Sequence, residues 1–169
     1  MSIHDLPYLR ATEAARVIID ESMNQGAVLT PIKLLHLLYA VQGFSMAIDE
    51  RPLFIDTMLS NVGNVLVWID SLIPTIRERL VPNQRVHSLY NISELDMAAP
   101  NITDKQRDII IGTVRRYATL DHLGTHTLIR HTPHSAIAAA SAIYGDAAPI
   151  DLQQLKYEFT GIINRAEQP

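Results

Sequence analysis

The apolar positions of the chain recur mostly at helical spacing, and one block of them is apolar on nearly every side. Between Leu29 and Ile48 no glycine or proline interrupts the run from Ile32 to Gln42. At about 100° per residue, Leu34, Leu35, Leu37, Leu38, Tyr39, Val41 and Phe44 cover well over half of the circumference. A surface helix shows a narrower stripe, so this block predicts a central helix touched on several sides. Thr30 can cap its start, and Pro31 fits the first turn, where its missing N–H is not needed. Lys33 and His36, three apart on one edge, break the apolar surface.

The flanking pattern is more ordinary. Residues 9–24 predict a first helix with a narrow stripe of Ala11, Ala14, Ala15 and Ile18, stopped near Gly26. Leu53-Phe54-Ile55 reads as a short edge strand and Asn61–Asn64 as a loop. Leu66, Ile69, Ile73, Ile76 and Leu80 follow helical spacing, with Pro74 as a kink inside it. Residues 81–101 are rich in proline and asparagine and read as a long loop with a short strand near Val86–Ile92. Thr103-x-x-Gln106 has the form of a capping box and opens a helix through Tyr117. Further helices are predicted over 120–130, over 135–144, and from an Asp151 cap through Ile163. The sum is a mainly α fold, one compact domain over residues 1–169 with about six or seven helices around the central one and a minor β element.

Composition narrows the function classes. A chain of 169 residues that is 47% hydrophobic and 19% charged can bury a sizeable core and is not of disordered type. A formal charge of -4 argues against nucleic acid as a partner. The absence of cysteine removes disulfides, thiol catalysis and thiolate metal sites. No apolar run reaches the roughly 18 residues needed to cross a bilayer, and Met1-Ser-Ile-His-Asp carries no basic-then-apolar leader. The expectation is a cytoplasmic protein with no membrane partner.

The central block also carries a resemblance. Leu29-Thr30-Pro31-x-Lys33-Leu34-x-x-Leu37-Leu38-Tyr39-x-x-Gln42-Gly43, followed by Arg51-Pro52-Leu53-Phe54, resembles the opening signature of the Panacea domain, also described as SocA-like or GepA-like. Weaker echoes extend over residues 11–160. Members of that family are phage-associated antitoxins of toxin–antitoxin systems, and some act as protease adaptors. The resemblance implies a non-enzymatic protein that neutralises a cognate protein toxin by direct binding, without a cofactor. It points to Lys33, His36, Tyr39, Gln42, Gly63 and His131 as partner-binding residues. Two departures stand out: Val62-Gly63-Asn64-Val65 replaces the family's Tyr-Gly-Pro-Val, and His134 replaces the tryptophan after the His131–Pro133 segment. The same signature is compatible with a phage or prophage accessory protein that binds another host protein.

Few other constellations suggest chemistry. His122 and His126, four apart, share a helix face, and His131 and His134 follow closely. Such a set can hold zinc if all ligands converge, which would suit a metal-dependent hydrolase. No His-Glu-x-x-His pattern supplies a general base. Neither a nucleophile elbow nor a phosphate-binding glycine loop is present. Arg107, Arg115, Arg116 and Arg130 add basic character around one helix pair, and Arg115-Arg116 reads as a solvated face rather than a nucleic-acid site. The acids Asp20, Glu21, Asp49 and Glu50 offer a surface for a basic toxin.

Overall fold

The computed structural model describes residues 8–27, 29–62, 65–72, 100–118, 135–144 and 147–168. Among the described residues there are five α-helices: α1 (Ala11–Asn24), α2 (Pro31–Asp49), α3 (Asp104–Tyr117), α4 (Ala136–Tyr144) and α5 (Leu152–Ala166). A small antiparallel sheet joins β1 (Met58–Val62) to β2 (Val65–Ile69), with the two-residue β3 (Ala148–Pro149) on the other side of β1. Fewer helices appear than expected. The one expected over 120–130 lies outside the described residues, as does the strand near Val86.

The helix starts follow their caps. Thr30 Oγ1 accepts from the Lys33 amide at 3.2 Å, with Pro31 in the first turn. Thr103 and Gln106 form the reciprocal box, with bonds of 3.1 and 2.9 Å. Asp151 accepts from the Gln154 amide at 2.7 Å. At the start of α1, Glu13 accepts from the Arg10 amide, and Asp56, 45 residues away in sequence, accepts from the Ala11 amide at 2.7 Å. That helix ends in a Schellman turn: Gly26 takes φ +68°, and the Ala27 amide reaches the Ser22 carbonyl at 2.8 Å.

The central position of α2 holds. It packs against α5, α3, α1 and β2. Its Leu34, Leu35, Leu37, Leu38, Tyr39 and Val41 are all buried, so several sides of one helix meet protein. Phe159 of α5 seats against it, with ring centroids 5.7 Å from Tyr39 and 4.9 Å from Phe44, both edge-on. Gly43 makes that seat, because a Cβ there would overlap the Phe159 ring. Leu53–Ile55 forms one parallel bridge, Leu9 to Phe54, at the edge of this core.

The segment after Asn61 departs from its helical spacing. Val65–Ile69 is a strand, followed by a 3-10 turn at Asp70–Leu72. Here Val67 and Ile69 are buried opposite Ser60 and Met58, so the working period is two. Val65, Val67, Trp68 and Ile69 are β-branched or aromatic, residue types that favour strands. The helical match of Leu66 and Ile69 was carried by the apolar residues beyond position 72, which lie outside the described residues.

Candidate functional site

The four signature residues on α2 all turn inward. Lys33 is buried, and its ammonium donates to the carbonyl of Ala118, the C-terminal cap of α3. A cation suits that position, where helix carbonyls lack partners and the helix dipole is negative. Buried His36 follows on the same edge. Tyr39 is fully buried, and its hydroxyl donates to Glu158 Oε2 at 2.5 Å. Gln42 clamps the chain where it returns from the turn after α2. Its Nε2 donates to the Phe54 carbonyl at 2.9 Å, while its Oε1 accepts from the Leu53 and Phe54 amides at 2.8 and 3.2 Å. All four are buried, and Lys33, Tyr39 and Gln42 bond groups within the chain. Gly63 and His131, and the proposed zinc set His122, His126, His131 and His134, lie outside the described residues. Among the described residues no cluster of three or more His, Asp or Glu side chains could hold a metal.

Glu158 is a functional-looking group that the sequence reading passed over. It sits within the apolar face of α5, between Leu155 and Phe159, and is 1% exposed. Its Oε2 accepts from Tyr39 and from the Ala136 amide at 2.9 Å, joining α5 to α2 and to the first residue of α4. Its Oε1 has no hydrogen-bond partner among the described residues. Burial pushes the carboxyl above its ordinary range, against the lowering pull of the Ala136 and Tyr39 bonds and of Arg165. Burial, and then the Glu158 charge, hold the Tyr39 phenol well above its ordinary value. The one sequence signal was a carboxylate inside an apolar stripe.

Outside the core, α2 and α3 enclose a groove of about 350 Å³. Phe44, Ile109 and Thr113 form its buried lining, while Ile48 (50% exposed) and Gly112 open to solvent. Lys105, Asp108 and Arg116 edge it with charge. A Cβ added at Gly112 would meet nothing within 4 Å. The groove continues past Lys105, which is ion-paired with Asp49 at 2.5 Å, into a second hollow of about 280 Å³ beside Arg51, Pro52 and Thr103. Together they follow α3 from its cap to its last turn, about 20 Å at 1.5 Å per residue. The apolar lining with charges only at its edge suits contact with protein side chains.

The surface acids are largely answered within the chain. Asp49 pairs with Lys105, Glu50 with Lys156 at 2.7 Å, and Asp20 with Arg16 at 3.9 Å. The Lys156 bond draws the Glu50 carboxyl below its ordinary value. Such exposed pairs contribute little to stability, but they reduce the bare negative field available to a basic partner. Arg107, Arg115 and Arg116 are exposed, as a solvated face requires. No helix among the described residues is long and apolar enough to cross a membrane. No protein-family model, curated protein or solved structure matches the chain.

Proposed function

We propose that this chain is a non-enzymatic binding protein of antitoxin type, which neutralises a protein toxin by holding it in a complex and acts in the cytoplasm. The reading rests on the resemblance of Leu29–Phe54 to the Panacea signature. The single observation that supports it is that this stretch closes into one structural unit: a Thr30 cap, an α2 core and a Gln42 clamp on Leu53 and Phe54. In this reading the signature residues set the scaffold, and the contact with the toxin falls on the groove between α2 and α3. Ile48, Gly112 and Arg116 are its outward-facing members. Handing the bound toxin to a protease is the extension that the resemblance implies.

Growth rescue tests this. The neighbouring open reading frame is expressed alone and together with this chain. The reading requires the neighbour to arrest growth alone, growth to return on co-expression, and the two chains to co-purify. A harmless neighbour bound by this chain would favour the accessory-protein reading instead. A neighbour that neither arrests growth nor binds would contradict both. Nothing among the described residues favours the zinc-hydrolase reading.

A further inference from the structure

We propose that Glu158 is a proton-operated latch: protonated, it closes the junction of α2, α4 and α5, and ionised, it releases the start of α4. The geometry divides the carboxyl into two unlike oxygens. Oε2 takes both available donors, the Tyr39 hydroxyl at 2.5 Å and the Ala136 amide at 2.9 Å. Oε1 is buried and has no hydrogen-bond partner among the described residues. A proton on Oε1 leaves Oε2 free to accept both bonds and removes the charge from the interior. Loss of that proton leaves a carboxylate with one oxygen bare, the form that burial disfavours most. The cheapest relief is local opening that brings water to Oε1.

The opening has a natural site. Ala136 is the first residue of α4, and its amide is one of the helix-start donors that need an acceptor. Ser135 accepts from the Ala138 amide at 3.3 Å and Tyr39 takes the Ile137 amide, which leaves the Ala136 amide to Glu158. Beyond α4 the chain continues into β3, which pairs with β1. Among the described residues few charges compete. On α2 the ionisable groups along this edge are Tyr39, His36 and Lys33, and Lys33 is engaged with Ala118. Arg165 on α5 acts on Glu158 from a distance and favours the ionised form. Residues 135–143 of α4 and its cap carry no ionisable side chain.

Hydrogen exchange at the Ala136–Ala140 amides, corrected for the intrinsic pH dependence, tests the latch. In the open form Glu158 titrates near its ordinary value of about 4.3. Protection should therefore fall by up to tenfold per pH unit above that value, levelling off once the closed form also ionises. Glu158→Gln, neutral at every pH, should show protection there that does not vary with pH. An infrared band of a protonated carboxylic acid should persist in the unmodified protein above the range where ordinary carboxyls ionise, and should disappear at the pH where the loss of protection levels off. This readout needs no variant, so it decides the matter even if Glu158→Gln does not fold. Protection independent of pH, an unchanged dependence in folded Glu158→Gln, or no such band would each overturn the proposal.

Discussion

Gly43 and Gly112 stand on adjoining helices under opposite constraints. Gly43 is the seat of Phe159, so Gly43→Ala forces the ring or the α2–α5 spacing to shift. Overpacking of that kind costs about 1–3 kcal/mol, which urea unfolding would register as a lower midpoint. Gly112 touches nothing. Gly112→Ala should stabilise the protein by about 0.5–1 kcal/mol through helix propensity alone. An exposed glycine that weakens its own helix and lies on a groove fits a surface that another chain approaches closely. Gln42 is a third case: three backbone groups of Leu53 and Phe54 depend on one amide. Gln42→Leu strands them and should cost several times the roughly 1 kcal/mol net of a single hydrogen bond. Its partner affinity, measured on whatever fraction remains folded, should be unchanged. Leu37→Ala, at a fully buried position of α2, should cost about 2–5 kcal/mol.

Helices carry their own start signals, and for α2, α3 and α5 those signals were sufficient. Thr30, Thr103 with Gln106, and Asp151 each cap as their spacing implies. Thr30→Ala should lower stability by about 1 kcal/mol, read by thermal unfolding, because the Lys33 amide loses its acceptor. The β1–β2 hairpin was not legible. A five-residue apolar run fits a buried strand or a helix fragment equally well, and only pairing with Met58–Val62 decides it. The α1 cap from Asp56 was likewise hidden, since the donor and acceptor are far apart in sequence. For the candidate site, the signature residues were visible but their direction was not. An apolar helix surface says that a lysine and a glutamine are near the core, not that they reach backbone carbonyls of other elements. Glu158 was missed because its partners come from α2 and α4, which the pattern of α5 cannot reveal.

For the molecule as a whole, α2 acts as a hub with a different attachment for each neighbour. Lys33 reaches the end of α3, Tyr39 reaches Glu158, Gln42 holds Leu53 and Phe54, and Gly43 receives Phe159. Glu158 gives this arrangement a pH dependence of definite sign. Its folded-state value is raised, so the folded state holds its proton to higher pH than the unfolded chain does. Its contribution is therefore fully present below the unfolded value of about 4.3 and declines as pH rises through the folded value. Urea midpoints measured across that range should fall less with rising pH in Glu158→Gln than in the unmodified protein. Glu50 runs the other way, with its pairing to Lys156 lost as pH falls.

The most direct test of a toxin-binding groove on an inward-built scaffold is titration calorimetry of the purified chain against the product of the neighbouring reading frame, in unmodified form and as Ile48→Glu. Ile48 is half exposed on the groove and belongs to none of the internal attachments. The account predicts saturable binding by the unmodified chain and a loss of at least tenfold in affinity for Ile48→Glu at an unchanged unfolding temperature. Equal affinity in the two forms would take the contact away from the groove, and no binding by the unmodified chain would contradict the antitoxin reading itself.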